Sequence, residues 1–547
     1  MTAPSLIALK RAPSPTNDGT AVKRPRTVAA VAGLASAAAA ALFSSLGPAA
    51  GTSLVWFKAD LRIKDNPALS AATAAAAATS RPVIALFLVN VGEWLGHDMA
   101  PIRADFLLRN LACLKKSLAA LNIRLIVRNI EENGLDSSET VAEVARAVDA
   151  RTVYWNREFE VDERKRDKKT ETILKAAGVE VAHFQDQCVM DPGSVLTKEG
   201  KPYKVFTKFK YTWITLVVRN RVHAQFPPAP VANSVELPAA ATAYADAHSD
   251  CPTKLDTGLQ LDEAKAKAAR EMFPAGEDEA HARLTHFLTD KARKYDSARD
   301  LPASDGTSSL SPYLSSGIIT SRQCISAALK ANNNKMEGGT EGLSKWISEV
   351  IWRDFYRHIL VEFPRVSKNR AFKSETENIP WLYDDEAFAA WSEGRTGYPF
   401  VDAGMRQLNS LGWMHNRLRM VTAMFLAKNL FLDWKMGERY FMRHLIDGDL
   451  ANNNGGWQWC AGTGVDCAPY FRIFNPLSQS TKCDPKGDYI RRWVPELAKL
   501  KGKAIHDPYG ELPKAEFLKL GYPAPIVDHK FARDRFLTAF KLAVKKL

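Results

Sequence analysis

Ser53-Leu-Val-Trp-Phe57 is an almost wholly apolar run, and it predicts a buried β-strand. The turn residues Asp65-Asn-Pro67 and an alanine-rich segment follow, and they predict a tight turn and then a helix. Because strands that are apolar throughout are typical of parallel sheets covered on both faces, the pattern predicts a doubly wound α/β domain over residues 52–185. Further strands are expected at Val83–Val89, Ile123–Val127, Thr152–Trp155 and Val179–His183.

A sheet of this kind binds ligands at the carboxyl ends of its strands. Neither a Gly-x-Gly-x-x-Gly motif nor a Walker motif follows the first strand. The sequence therefore supports neither a standard dinucleotide site nor a phosphate-binding P-loop in this domain.

The second half of the chain has the periodicity of helices. An all-α domain is expected over residues 277–547. Residues 186–276 are mixed in pattern and include a proline- and alanine-rich passage at Phe226–Ala247, so they are interpreted as an interdomain linker. Loops within the helical domain are expected at Asp305–Ser309, Glu393–Tyr398 and Asp447–Gly456.

Residues 1–51 differ in composition from the rest of the chain. They are rich in Ala, Ser, Pro and Thr with Asp18 as the only acid, so a disordered targeting extension is expected. The clusters Lys10-Arg11 and Lys23-Arg24-Pro25-Arg26 have the layout of a bipartite nuclear import signal, although acid-poor ends of this type also address mitochondria. Val28–Leu46 is too weakly hydrophobic to predict a membrane span.

The net charge of +13 is unevenly distributed. Residues 52–280 are neutral overall, whereas residues 281–547 carry the largest basic surplus and most of the 13 tryptophans. A basic, aromatic-rich half suits binding of a polyanion, but a soluble basic surface over a large helical core would have the same composition. The seven cysteines include no Cys-x-x-Cys pair, so reduced thiols are expected, with neither a metal site nor a disulfide framework.

Five strings in the chain resemble, in order, the motifs of class I members of the photolyase/cryptochrome family. The resemblance runs from about Thr52 to the C-terminus. It implies an antenna domain followed by a helical FAD-binding domain, in a monomeric, eukaryotic (fungal-like) photolyase that repairs cyclobutane pyrimidine dimers in UV-damaged DNA. The strings are Leu54-Val-Trp-Phe-Lys-Ala-Asp-Leu-Arg62, Gly397-Tyr-Pro-Phe-Val-Asp-Ala-Gly-Met-Arg406, Gly412-Trp-Met-His-Asn-Arg-Leu-Arg-Met420, Asp449-Leu-Ala-Asn-Asn-Asn-Gly-Gly-Trp-Gln-Trp459 and Pro469-Tyr-Phe-Arg-Ile-Phe-Asn-Pro476.

A flavin site is implied first. Hydroxyl groups and free N–H groups ahead of a helix suit a pyrophosphate, although an ordinary helix cap has the same local pattern. Asn453 would face the reactive flavin nitrogen, where an amide can donate or accept. Asp447 and Asp449, if buried, need a partner, which is expected to be Arg419. The FAD-binding residues that the resemblance implies are Tyr295, Thr307, Ser308, Ser309, Leu310, Ser311, Trp346, Asn416, Asp447, Gly448, Asp449 and Asn453.

The resemblance also implies an electron relay to the flavin through Trp381, Trp434 and Trp457. Indole is a good one-electron donor, and a series of indoles can lead to the protein surface. Each tryptophan taken alone would equally suit core packing. The relay is favoured because all three match together.

A lesion pocket is implied in the helical domain. Trp352 and Trp459 match the aromatic walls that hold a flipped dimer, and Glu349 matches the carboxyl group that binds it. Asn416 and Met420 stand where the branch repairing (6-4) photoproducts has two histidines, and this difference favours cyclobutane dimers. Arg299, Arg353, Arg417 and Arg472 are candidate phosphate contacts, and each could instead form a structural ion pair.

A 5,10-methenyltetrahydrofolate antenna is implied by His97, Glu163 and Lys368. The competing interpretation of the whole chain is a cryptochrome that senses blue light and signals through a protein partner. The intact lesion pocket and the short segment after the last family-like helix favour the repair enzyme.

Overall fold

The computed structural model describes residues 51–130, 135–255 and 258–545. The expectations for residues 1–50, including the import signal, lie outside the described residues. Within the described residues, no helix combines the length and the apolar character needed to cross a lipid bilayer.

The N-terminal domain is built on one five-stranded sheet. Its strand order is β3-β2-β1-β4-β5, and every neighbouring pair is parallel. The predicted parallel sheet is therefore confirmed. All residues of β1 and β2 are buried, as their continuous apolar sequences indicate. The strands are β1 Thr52–Phe57, β2 Val83–Val89, β3 Arg124–Asn129, β4 Ala150–Asn156 and β5 Glu180–Phe184.

Helices flank the sheet and continue through the linker region. In the N-terminal domain they are α1 Pro67–Thr79, α2 Val91–Gly96, α3 Pro101–Ala119, α4 Ser137–Ala147 and α5 Val161–Ala176. Residues 186–276 contribute α6 Phe206–Arg219, α7 Ala239–Ala247 and α8 Glu263–Met272.

The helical domain confirms the predicted second architecture. Its helices are α9 Glu277–His286, α10 Tyr295–Ala298, α11 Ser311–Ser315, α12 Ser321–Ala331, α13 Glu341–Glu362, α14 Pro364–Ser367, α15 Asp385–Glu393, α16 Pro399–Leu411, α17 Asn416–Met424, α18 Trp434–Met442, α19 Leu450–Ala461, α20 Pro476–Cys483, α21 Asp488–Trp493, α22 Pro508–Glu511, α23 Lys514–Lys519 and α24 His529–Lys545.

The turn after β1 starts α1 and also joins the two domains. Asn66 caps α1 by accepting a hydrogen bond from the Leu69 N–H, and Pro67 occupies the first helical turn, where its missing N–H has no cost. Asp65 pairs with Arg322 of the helical domain at 2.5 Å. The predicted turn therefore has a second role at the domain boundary.

Gly317 lies at the closest approach of the two domains. A Cβ atom placed there would stand 2.0 Å from the carbonyl oxygen of Ala59, and the φ of Gly317 is +64°. Arg62 Nη1 donates a hydrogen bond to the Gly317 carbonyl oxygen at 3.0 Å. Glycine is required here because both the space and the backbone angle exclude a side chain.

One predicted loop is wrong. Asp447–Gly456 was expected to be irregular, but α19 begins at Leu450 and continues to Ala461. Asp449 caps this helix by accepting a hydrogen bond from the Asn452 N–H at 3.0 Å. Gly455 lies against the ring of Tyr356, where a Cβ atom would approach to 2.4 Å, so close packing with α13 compensates for the weak helix propensity of this glycine.

Candidate functional site

The expected flavin-binding residues converge in the helical domain from three parts of the chain. Trp346 on α13 donates its indole N–H to Ser308 Oγ at 3.3 Å, and the Trp413 indole N–H donates to Ser311 Oγ at 3.3 Å. Thr307 and Ser309 place their hydroxyl oxygens 3.4 Å apart, just ahead of α11. The two indoles thus hold the hydroxyl-rich segment against the core. Two further expected residues, Leu310 in this segment and Tyr295 at the start of α10, are both buried.

The two aspartates around Gly448 take different partners. Asp447 Oδ2 accepts a hydrogen bond from Arg419 Nη2 at 2.8 Å, as expected. The partner of Asp449 is instead Arg357 of α13, so the expectation of Arg419 for Asp449 is wrong. Although burial opposes ionisation, Arg357 and Arg353 hold the pKa of the Asp449 carboxyl well below its usual range. Asp449 is therefore a fixed anion at the start of α19.

One buried polar atom in this region fits a bound flavin. Asp447 is buried, and its Oδ1 atom has no hydrogen-bond partner within the described residues. A buried acceptor of this kind requires a donor, and a flavin with ribityl hydroxyls and ring N–H groups can supply one. The residues present therefore fit FAD.

Asn453 is oriented by Glu438 of α18. Its Nδ2 donates to the backbone oxygen of Glu438 at 2.9 Å and to Glu438 Oε1 at 3.0 Å. Because a backbone carbonyl can only accept, the amide nitrogen must face Glu438, and the amide oxygen is the atom left to face a ligand. The Asn453 amide is therefore expected to accept a hydrogen bond from the flavin, and not also to donate one.

Glu438 itself is a buried carboxyl group that the sequence did not single out. Desolvation raises its pKa to about 7. The Glu438 carboxyl beside Asn453 is therefore only partly ionised at neutral pH.

The three relay candidates belong to one hydrophobic cluster of the helical domain, with Trp457 and Trp434 in its core and Trp381 packed against it. Trp457 and Trp434 are both buried, and Trp457 packs edge-on against Trp391 and Phe441, with ring centroids 6.0 and 5.0 Å apart. Trp381 is half-buried between Phe431 and Phe536, with centroids 5.3 and 6.4 Å away. Of the three, only Trp381 is partly exposed to solvent, as the outer end of a relay requires.

The expected lesion pocket contains two half-buried tryptophans on different helices. Trp352 lies on α13 and Trp459 on α19. Glu349, one turn before Trp352, forms an ion pair with Arg299. Asn416 and Met420 share one face at the start of α17, with Asn416 Nδ2 3.9 Å from Met420 Sδ. Met420 and Trp459 pack against one hydrophobic cluster of the protein, and Trp352 packs against another.

The four candidate phosphate-binding arginines are not equivalent. Arg299 and Arg417 are paired with Glu349 and Asp300, the latter pair at 2.6 Å. Arg353 donates to the backbone oxygens of Gln187 and Leu314 and to Ser321 Oγ, and this arrangement favours a structural role. Arg472 is exposed.

Two of the expected antenna residues, His97 and Glu163, line a cavity of about 290 Å³ at the domain boundary, whereas the third, Lys368, is not among its lining residues. Arg357, Glu438 and Asp449 of the flavin region line the same cavity. His97 Nδ1 lies 3.3 Å from Glu163 Oε1, and this contact raises the pKa of His97 to about 9. Lys368 follows α14, whose Ser367 accepts a hydrogen bond from the Val161 N–H at 3.0 Å. The helical domain thus closes one side of a cavity that begins at the carboxyl ends of β1 and β2.

Comparisons with known proteins agree with this architecture. Residues 53–230 match the family model described as DNA photolyase, and residues 346–542 match the one described as the FAD binding domain of DNA photolyase. A Vibrio cholerae protein named deoxyribodipyrimidine photo-lyase is 43% identical over 496 residues, which cover 90% of this chain and 99% of that protein. A Neurospora crassa protein of the same name is 42% identical over 89% of this chain and 81% of its own length.

The chain belongs to the DNA photolyase family. Among solved structures, a bacterial class III photolyase from Agrobacterium tumefaciens has a TM-score of 0.78 and 35% identity, covering 91% of this chain and 98% of that one. A cryptochrome from Synechocystis has a TM-score of 0.74 and 26% identity, covering 89% and 99%. Because the similar proteins include bacterial and class III members, the finer assignment to a fungal-like class I photolyase stays a prediction.

In this photolyase family member, the cavity has further lining residues that were not expected from the sequence. Glu160 lines it, and burial together with Glu163 raises the pKa of Glu160 to about 7. Trp56 also lines it, with Lys58 Nζ 4.8 Å and the Arg166 guanidinium 5.1 Å from its ring centroid. The available signal was proximity in sequence, since Glu160 stands three residues before Glu163.

Proposed function

We propose that this photolyase uses light and bound FAD to split cyclobutane pyrimidine dimers in DNA. Its membership of the family and its similarity to proteins named deoxyribodipyrimidine photo-lyase support this activity. The observation that carries the choice of lesion is the pair Asn416 and Met420, which offers no proton donor of histidine type at the two positions where the (6-4) branch has histidines.

A histidine does lie next to this pair, but its environment excludes it from acid catalysis. His415 is buried, and its Nδ1 accepts a hydrogen bond from the Arg417 N–H at 3.2 Å. Burial lowers its pKa to about 4. His415 is therefore neutral and caps α17, which supports an electron-transfer reaction rather than one that needs an imidazolium.

The chain positions the reactants and controls their charge. Reduced FAD, when bound, supplies a photo-induced electron to the lesion, which returns after the ring opens. Trp352 and Trp459 hold the extruded dimer by stacking, and Glu349 accepts hydrogen bonds from its base edges. Trp457, Trp434 and Trp381 carry electrons inward from the surface when the cofactor needs reduction.

The test is a side-by-side assay of the reduced protein under blue light on duplexes that carry one cyclobutane dimer or one (6-4) photoproduct. Repair of the dimer alone is expected. Repair of the (6-4) lesion alone would overturn the choice of lesion, and repair of neither would favour a blue-light photoreceptor.

We also propose a methenyltetrahydrofolate antenna in the acid-rich cavity. His97 and Glu163 form a hydrogen-bonding pair there, and Lys368 of the helical domain is close enough to Asp162 in the cavity wall to interact with it electrostatically. Glu163→Gln is expected to lower the folate content of the purified protein without changing its FAD content. Extraction and identification of the bound cofactors measures both, and a different antenna molecule would contradict the proposal.

The N-terminal extension is proposed to direct nuclear import. Alanine substitutions at Lys23, Arg24 and Arg26 are expected to move a fluorescent fusion of the full chain out of nuclei. Mitochondrial fluorescence that survives these substitutions would instead identify a mitochondrial address.

A monomeric state is expected, and light scattering of the purified protein tests it.

A further inference from the structure

The linker helix α6 begins directly behind one wall of the proposed lesion pocket. Phe206, the first residue of α6, stacks face to face on Trp352, with ring centroids 3.6 Å apart and an interplanar angle of 8°. Phe206 is buried, whereas Trp352 is half-buried. An indole has two faces, so a Phe206 ring on one face leaves only the other for a base.

The same residue is tied to the chain segment behind the second wall. The Phe206 backbone N–H donates to Asp466 Oδ2 at 2.9 Å. Asp466 lies in the loop that follows α19, the helix of Trp459, and it adopts a left-handed backbone conformation with φ of 42°. Phe206 therefore contacts one wall directly and is bonded to the loop leading away from the other.

The linker is also fixed to α13 close to Trp352. Asp354, two residues after Trp352, accepts hydrogen bonds from the Val189 N–H at 2.9 Å and from the Trp213 indole N–H at 3.0 Å. Trp213 lies on α6 and is buried. Helix α6 is therefore anchored by a buried carboxylate as well as by aromatic packing.

We infer that Phe206 is a positioning residue for lesion recognition, which holds the Trp352 ring in the plane needed to stack on a flipped dimer. This inference rests on the proposed function, in which Trp352 is a wall of the lesion pocket. A ring fixed before binding loses no conformational freedom when the base arrives, so the contact increases affinity for the lesion only. The region 186–276 thus takes part in recognition as well as joining the domains.

The test is a double-mutant cycle on the full-length, FAD-loaded protein. Affinities for a duplex with one cyclobutane dimer and for the intact duplex are measured in the dark for Phe206→Leu, Trp352→Ala and the double variant. Phe206→Leu is expected to lower the ratio of the two affinities about two- to tenfold, the range for loss of an aromatic pair, with intact-duplex affinity unchanged. In the Trp352→Ala background it is expected to have no further effect.

Phe209→Leu is the matched control. Phe209 lies one turn later on α6, is equally buried and also packs on Phe355, with its ring centroid 5.1 Å away. It is expected to lower thermal stability to a similar extent but to keep the preference for damage. Phe206→Tyr, which keeps the aromatic plane, is expected to restore the preference, and Phe206→Met replaces Phe206→Leu if the latter does not fold.

The outcomes separate this inference from the proposed function. If Trp352→Ala lowers the preference for damaged DNA but Phe206→Leu does not, the inference about Phe206 is wrong, and the assignment of Trp352 to the lesion pocket stands. An equal loss in Phe209→Leu, or a full additional loss in the Trp352→Ala background, would also overturn it. If Trp352→Ala keeps the full preference, the wall assignment fails and the inference fails with it.

Discussion

Trp457 and Trp459 lie two residues apart on α19, yet they belong to different surroundings. At about 100° per residue they point to opposite sides of the helix. Trp457 is 2% exposed and packs among Trp391 and Phe441, whereas Trp459 is half-buried beside the candidate lesion pocket. One helix therefore directs the proposed electron carrier toward the core and the proposed stacking surface toward solvent.

Burial separates the two proposed roles of tryptophan here except at Trp381, the outer relay candidate, which is half-buried like the two wall candidates. The relay members Trp457 and Trp434 are enclosed, which suits transfer of an electron without exposure to solvent. The wall members Trp352 and Trp459 keep part of their rings accessible, which stacking on a base requires. Substitution in each group should consequently affect one activity and spare the other.

The largest expected effect is on the relay. Trp381→Phe is expected to abolish light-driven reduction of oxidised FAD, because phenylalanine is much harder to oxidise than tryptophan. Repair by chemically pre-reduced protein should survive. Flavin absorbance under illumination measures the first property and a repair assay the second. Trp493→Phe, at a partly buried tryptophan of the same core, is the control. Normal photoreduction in Trp381→Phe would refute the relay.

The next effect is on the wall. Trp459→Ala is expected to lower the preference for dimer-containing over intact duplex about five- to hundredfold, since base–aromatic stacking contributes ~1–3 kcal/mol. Photoreduction should be unchanged because Trp457 remains. Titration of both duplexes with FAD-loaded variants tests this. An unchanged preference would show that Trp459 does not contact the lesion.

A smaller effect is expected at a candidate phosphate contact. Arg417→Ala should weaken binding of damaged and intact duplexes together by about threefold and reduce the salt slope by about one. Arg151→Ala is a matched control, because Arg151 pairs with Glu180 at 3.8 Å on the N-terminal domain. Titrations at several salt concentrations give both quantities. A loss confined to damaged DNA would make Arg417 a lesion contact instead.

The smallest expected effect concerns Glu438 of α18, which accepts hydrogen bonds from Asn453 of α19. Burial raises its pKa from 4.5 to about 7. Because the folded pKa exceeds the unfolded one, its contribution to stability is complete below about pH 4.5 and is lost as pH rises through 7. Glu438→Gln keeps an acceptor for Asn453 but cannot ionise.

Between pH 5.5 and 8.5 the Tm of the unsubstituted protein should therefore fall about 2 °C more than that of Glu438→Gln. Thermal melts followed by circular dichroism at matched ionic strength measure this difference. Glu511→Gln, at an exposed carboxyl, should behave like the unsubstituted protein. Parallel pH profiles for Glu438→Gln and the unsubstituted protein would show that Glu438 is ionised throughout.

The sheet could be predicted closely from the sequence because its strands are buried on both faces. The expected run at Val83–Val89 has the observed bounds, and β1 begins one residue before the expected Ser53. The expected loop at Asp447–Gly456 failed because local propensity was the wrong guide. Three asparagines and two glycines disfavour a helix, but the cap at Asp449 and the packing of Gly455 on Tyr356 compensate.

The site could be predicted as a set of residues but not as a set of pairs. The motifs indicated Asp447 and Asp449, whereas the pairing of Asp449 with Arg357 depends on how α13 and α19 meet. The contact of Phe206 with Trp352 joins residues 146 positions apart in different predicted regions. Such contacts have no local signature, because packing between distant elements creates them.

The close approach at Gly317 limits how this protein can be rebuilt. If residues 52–185 are replaced by the corresponding segment of another protein, that segment must follow the same backbone path at Ala59. Gly317 has no side chain that could adjust to a different path. The donor must also supply an arginine equivalent to Arg62 and an aspartate equivalent to Asp65 for the helical domain. The N-terminal domain therefore cannot be exchanged as an independent unit. Chimeras made at this boundary should fold only when the turn after β1 is retained from this chain.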